Sequence, residues 1–260
     1  MEAYERLKAA RAKGRPSGFC YIRNIFTSFM EMHGDRRFGD DPAIVAGIAR
    51  LEDMPVTVIA NEKGGSTKEK IFRNFGSAHP EGYRKALRQM KLAEKFHRPV
   101  VCFVDTAGAS CGISAEERGE GESIAENLMA MSGLRTPILS VFVGEGGSGG
   151  ALALAVADEV WMLENACYSV ISPEGCASIL WKDSSRVREA SRCLKITADD
   201  LWRMKVIERV IPETGGSENV YRVLKKDLHE TLSRKMEMET GVLLQKRYQR
   251  FRRMGTKRKD

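Results

Sequence analysis

The sequence predicts an α/β fold with largely parallel strand pairing and helices packed outside the sheet. Three observations predict it. Short apolar segments bounded by Gly, Pro, Asp or Asn recur along the chain, and helical patterns separate many of them. One such segment runs into a glycine turn and restarts as a small-residue helix. At 260 residues, with 42% hydrophobic and 30% charged residues, the chain is long enough to bury a sizeable core and lacks the composition of a disordered protein. No Pro/Ser-rich linker or internal repeat divides it. One domain is expected, with a helical extension over 1–34, a core over 35–212 and a basic C-terminal helix and tail over 213–260.

Residues 1–33 read as two helices, the second carrying Phe19, Ile22, Phe26 and Phe29 at helical spacing. Strand-like segments follow at 43–51, 56–60, 100–104, 138–143, 160–163 and 168–171. Between them, 80–96 places Tyr83, Ala86, Leu87, Met90 and Ala93 on one helical face. Residues 115–134 form a second long helix with Glu concentrated at its start, where carboxylates suit the helix dipole. Ser172-Pro173-Glu174 is a cap-then-proline helix start, and Thr197 to Asp200 has the form of a capping box with Asp in place of Glu. From Ser217 the chain is polar, helical and peripheral in pattern.

Composition narrows the function classes. The charged, helical opening lacks the apolar core of a signal peptide, so a cytoplasmic protein is expected. Six cysteines without a C-x-x-C pair and four histidines without a ligand cluster point to neither a disulfide framework nor a metal site. The net charge of +7 is concentrated in Lys246, Arg247, Arg250, Arg252, Arg253, Lys257, Arg258 and Lys259. With only Tyr248 and Phe251 interleaved and no recognition motif, that run reads as a solvated terminal helix and frayed end rather than a nucleic-acid surface.

The glycine junction, VFVGEGGSGGALALAVA over 141–157, carries the chemistry. A buried strand over 137–143 leads into a helix over 151–157 whose first turn is the glycine run. First-turn N–H groups have no intrahelical partner, the dipole adds positive charge, and glycine admits a ligand close to the backbone. Such a junction suits an oxyanion, either a bound phosphate or an enolate formed in a reaction. Gly144-x-Gly146-x-x-Gly149 formally matches a dinucleotide fingerprint, with Glu164 near the place of its acidic residue. The helix would have to end before Asp158, however, leaving about two turns where a full crossover helix is needed. A Walker-type loop is excluded because no Lys-Ser or Lys-Thr follows the glycines. Glu145 and the glycines at the centre of 137–157 argue against a membrane span.

Four further segments stand beside the junction: HGDRRFGDDPAIVAGIARL from His33, NFGSAHPEGYRKALR from Asn74, DTAGASCGISAEERGEGESIAENL from Asp105 and YSVISPEGCASILWKD from Tyr168. In order and spacing, from about His33 to Pro212, the chain resembles the carboxyltransferase α subunits of bacterial multi-subunit acetyl-CoA carboxylase. The RYQRF at Arg247 to Phe251 also looks like the end of that family's chain. The resemblance implies a crotonase-like fold, a spiral of ββα units with peripheral helices at each end. It also implies transfer of carboxylate from carboxybiotin to acetyl-CoA, giving malonyl-CoA for fatty acid synthesis. Biotin is then carried by a biotin carboxyl carrier protein and not attached here. The implied partners are a zinc-ribbon-bearing β subunit in an α2β2 assembly and biotin carboxylase; the assembly's ATP and nucleotide binding is implied in the same way. No metal is implied for this chain.

Negative charge develops on the thioester oxygen as the acetyl methyl loses a proton, and on the ureido oxygen as biotin gives up its carboxylate. Two oxyanion holes are therefore needed, and each lost donor costs about 2.7–4 kcal/mol. Carried over by motif position, the donors here are the N–H groups of Gly149 and Gly150, and Gly146 and Gly147 shape the approach. Substrate-lining positions are Ser148 and, in the second loop, Thr106, Ala107, Gly108, Ala109 and Gly112. Ala107, Ser110 and Cys111 stand where the family has Pro, Tyr and Pro, which alters one wall of the biotin pocket. Cys111 is expected to pack rather than to react. Glu116, Glu117 and Arg118 either orient interface loops or serve as helix N-terminal charge. Lys63, Lys68, Lys70 and Arg73 form a basic cluster, of which Lys63 and Arg73 are candidate contacts for CoA phosphates. The rival reading is a stand-alone crotonase-type hydratase, isomerase or hydrolase, which needs a catalytic carboxylate pair; Glu145 is the only acid in the loop.

Overall fold

A computed structural model describes residues 1–255. Two short helices, α1 (Ala3–Ala10) and α2 (Gly18–Ile25), precede an antiparallel ladder of β1 (Thr27–Glu31), β2 (Ile44–Leu51) and β3 (Met54–Asn61). Next come α3 (Thr67–Phe72), held at its start by a reciprocal Ser66–Glu69 capping box, and α4 (Pro80–Lys95), which begins on a proline. Strand β4 (Val100–Thr106) is buried at every position, as a parallel strand covered on both faces must be. Then follow α5 (Ile113–Glu117), α6 (Glu120–Gly133), β5 (Ile138–Gly147), α7 (Ser148–Leu152), β6 (Glu159–Leu163) and β7 (Cys167–Ser169). The remainder is α8 (Pro173–Trp181), α9 (Val187–Cys193), α10 (Ala198–Arg203), β8 (Arg209–Ile211), α11 (Gly216–Met236) and α12 (Thr240–Arg253).

The strands form one sheet in the order β1-β2-β3-β4-β5-β6-β8, with β7 pairing the far end of β5. From β3 onward every pairing is parallel. Strands β4 and β5 lie at the centre, so the loops leaving their C-terminal ends are neighbours, as ligand-binding loops of parallel sheets generally are.

Several expectations are corrected. Helix α2 stops at Ile25; Phe26 is extended and Phe29 lies on β1, where pairing with β2 overrides the helical spacing. The single helix over 115–134 is broken at Gly119, whose φ of 84° ends one helix and starts the next. Near the junction, β5 runs on to Gly147 because β7 pairs with Glu145 to Gly147, and the helix occupies Ser148–Leu152 instead of 151–157. Strand β7 likewise ends at Ser169, short of 171. Helix α11 is not peripheral: Val220, Tyr221, Leu224, Leu228 and Leu232 bury a stripe in the main core, and Tyr221 meets Tyr21 edge-on at 5.2 Å.

The basic C-terminal helix is docked rather than solvated. Arg247 is 1% exposed and makes a two-pronged ion pair with Asp158 at 2.9 Å through Nε and Nη2. Its remaining N–H groups donate to the carbonyls of Met131, Leu134 and Thr136. Arg250 pairs with Glu208 at 2.7 Å. Lys257, Arg258 and Lys259 lie outside the described residues. Among the described residues no helix is long and apolar enough to cross a membrane.

Candidate active site

At the end of β5 the chain turns directly into α7, and Ser148 makes that turn in the left-handed region at φ 52°. The β4 loop runs alongside, locked by Thr106, whose Oγ1 donates to the Gly108 carbonyl at 2.7 Å and accepts from the Gly108 N–H at 3.1 Å. The two loops touch backbone to backbone. A Cβ on Gly147 would overlap the Ala107 carbonyl. A Cβ on Gly150 would sit 2.5 Å from the Ala109 nitrogen and 2.7 Å from the Tyr83 hydroxyl. Those two glycines are explained by packing alone.

Gly149 is different. A Cβ there would meet nothing nearer than the Ile124 side chain at 3.7 Å, an ordinary contact. With Ser148, Gly149 opens on a cavity of about 340 Å³ walled by Leu152, Tyr168, Val170, Leu201 and Val206. Both Gly149 and Gly150 fall in the first turn of α7, where N–H groups have no intrahelical acceptor. With only five residues, α7 contributes little macrodipole, so any anion affinity rests on the N–H groups themselves. Gly146, Gly147 and Ala107 line a second, narrower cavity with Cys167, Ser169 and Pro173.

An ion-pair chain fixes this turn from behind. Lys63 Nζ lies 2.7 Å from Asp105 Oδ1 and 3.1 Å from Glu145 Oε2; Arg11 reaches Glu145 and Glu174, each at 2.6 Å. Asp105 Oδ1 also accepts the Glu145 N–H at 2.9 Å. Burial alone would lower the Lys63 ammonium, but Asp105 and Glu145 outweigh it and hold it above its ordinary value. Burial pushes Glu145 up, while Lys63 and Arg11 more than reverse that and keep it below the usual carboxylate range. A carboxylate held ionised between two cations is a poor general acid, which weakens the hydratase or isomerase reading. Arg11 carried no sequence signal, because its partners lie 134 and 163 residues away.

The basic cluster does not converge. Lys63 and Lys70 line a cavity of about 250 Å³ with Gly64, Gly65 and Arg15. Arg73 instead donates to the Pro42 carbonyl at 2.7 Å, and Lys68 is exposed. Gly112 is exposed at the start of α5, apart from the glycine turn. Cys111, expected to pack, is exposed because its loop runs over the surface. Arg118 bonds Glu81 at 2.7 Å, whereas Glu116 and Glu117 are exposed. Among the described residues no group of three or more His, Cys, Asp or Glu is placed to hold a metal ion.

Comparison with known proteins agrees with this geometry. Residues 1–255 match the family model described as acetyl co-enzyme A carboxylase carboxyltransferase-like. The acetyl-coenzyme A carboxylase carboxyl transferase subunit alpha of Ruminiclostridium cellulolyticum is 63% identical over 98% of this chain and 98% of its own. A Natranaerobius thermophilus protein named as subunits beta/alpha is 54% identical, with 98% of this chain matching 43% of that longer one. Among solved structures, transcarboxylase 12S superposes with a TM-score of 0.70 at 20% identity, covering 89% of this chain and 46% of that one. This chain thus spans about half of that solved chain, and the likeness establishes the crotonase-like α/β fold. The chain belongs to the acetyl-coenzyme A carboxylase carboxyltransferase α-subunit family.

Proposed function

We propose that this chain is the α half of a biotin-dependent carboxyltransferase that forms malonyl-CoA from acetyl-CoA, acting in the cytoplasm. The observation that carries the reading is Gly149, an unencumbered first-turn glycine opening on an apolar-walled cavity. Walls of Leu152, Val170, Leu201 and Val206 with N–H donors at one end fit an uncharged bicyclic ureide. Carboxybiotin, delivered by a carrier protein that biotin carboxylase recharges, supplies the carboxyl group and a base when bound. The Gly149 and Gly150 N–H groups hold negative charge as it builds on the ureido oxygen. Ala107 of the β4 loop lines the neighbouring narrower cavity rather than this one, and the Lys63–Glu145–Arg11 chain keeps the turn rigid. Lys63, already committed to two carboxylates, is a positioning residue in this scheme rather than a phosphate ligand, and Arg73 stands apart.

The partner is a β subunit in an α2β2 assembly. The fused beta/alpha relative supports it. So do Ile113, Met129, Val170, Ile179 and Leu180, each more than 60% exposed. The test is carboxyl transfer from malonyl-CoA to a soluble biotin derivative, with this chain alone, a β subunit alone, and both. Activity only in the mixture is expected; a mixture that assembles but stays inactive refutes the reading.

A further inference from the structure

Helix α6 presents a buried stripe to the glycine turn. Ile124 is the side chain nearest the Cβ position of Gly149, and Asn127 Nδ2 donates to the Ala153 carbonyl just beyond α7 at 3.2 Å. Glu120 lies one turn before Ile124 on the same face and is 3% exposed. Both its carboxyl oxygens are buried with no hydrogen-bond partner. Tyr83, fully buried on α4, has a hydroxyl that is equally partnerless and sits against Gly150. A partnerless ionised carboxylate in such a place costs several kcal/mol, far more than the neutral carboxyl does.

We propose that Glu120 is a positioning residue for the Gly149–Gly150 turn: kept as a neutral carboxyl buried on the α6 face that packs against the turn, it withholds negative charge from the N–H donors, and its ionisation disables them. The inference rests on those N–H groups being the anion donors. A full negative charge one turn from Ile124, on the helix face that meets Gly149, would oppose an oxyanion at the turn, and its hydration would have to open the α4–α6 contact. Burial, then the carboxylates of Asp41, Glu116 and Glu81, raise the Glu120 carboxyl to about 8, against the lowering effect of His79. The charged surroundings come from every side. His79 caps α4, Glu81 and Arg84 lie on α4, Asp41 precedes β2, Glu116 lies on α5, and Arg118 joins α5 to α6. Arg118 and Arg84 are both engaged by Glu81, at 2.7 and 3.2 Å, and neither guanidinium is hydrogen-bonded to Glu120.

The decisive measurement follows the backbone amide resonances of Gly149 and Gly150 in glycine-labelled full-length chain from pH 6 to 9, in wild type and Glu120→Gln. Expected are shifts with a midpoint near pH 8 in wild type and flat traces in Glu120→Gln. Flat traces in both, or the same titration in both, overturn the proposal. A second arm measures carboxyl transfer in the reconstituted assembly. Activity should fade above pH 8 in wild type and persist in Glu120→Gln, and superimposed profiles overturn the positioning role. If the assembly is inactive throughout, the proposed function fails, while the amide titration still decides whether Glu120 governs the turn.

Discussion

Adding a single methyl group at two neighbouring glycines separates packing from ligand binding. In Gly150→Ala the new Cβ sits 2.5 Å from the Ala109 nitrogen, 2.7 Å from the Tyr83 hydroxyl and 2.9 Å from the Gly108 carbonyl carbon. Backbone atoms are two of those three and cannot yield cheaply, so the cost is that of overpacking, about 1–3 kcal/mol. For a chain of this size that lowers Tm by about 2–12 °C. In Gly149→Ala the nearest atom is a methyl at 3.7 Å and the residue is helical, so lost backbone entropy is recovered and stability rises by roughly 0.5–1 kcal/mol. The same methyl projects where a ligand oxygen must approach the N–H groups. Complete loss of one such donor is worth about 10²–10³ in kcat, so a fall of about a hundredfold is expected. The assay pairs thermal unfolding of the chain with carboxyl transfer in the reconstituted assembly. A Gly149→Ala variant with unchanged activity would refute the oxyanion role, and one that unfolds at lower temperature would refute the open-space reading.

Two further outcomes test the scaffold. Arg247→Ala leaves Asp158 buried without its cation and three carbonyls without a donor, so a loss of about 3–5 kcal/mol is expected. That is a Tm decrease of roughly 6–20 °C, and a change below 2 °C would show that the pair is not buried in solution. Glu120 has a folded-state pKa above its ordinary value, so between pH 4.5 and about 8 the folded state binds more protons than the unfolded one. Stability therefore falls as pH rises through that window. Glu120→Gln removes this contribution, so its Tm should gain on wild type from pH 5 to pH 8.5; parallel curves would contradict a buried, partnerless carboxyl.

Much of the core was legible because β4, β5 and β6 are continuous apolar runs, a signal set locally by burial on both faces. The glycine turn was legible as a strand-to-helix junction, but its register was not. Pairing of β7 with Glu145 to Gly147, a contact between distant segments, keeps those residues extended. The break at Gly119 was hidden because Gly121 and Gly133, in the same segment, are accommodated inside α6, and only the positive φ of Gly119 sets it apart. The end of α2 was misplaced for a similar reason, since Phe29 serves a strand as well as a helix. Arg11, Arg247 and Glu120 were invisible as site or scaffold residues, because each acts through partners brought together only by the finished fold.

The contact between Arg247 and Asp158 also bears on how the protein is made. Asp158 leaves the ribosome 89 residues before the guanidinium that neutralises it. At about 5–20 residues per second, the nascent chain carries a carboxylate without its cation just before β6 for roughly 4–18 s. Over that interval the end of α6 also waits for its donor, so docking of α12 supplies partners that earlier-made segments lack until the chain is nearly finished.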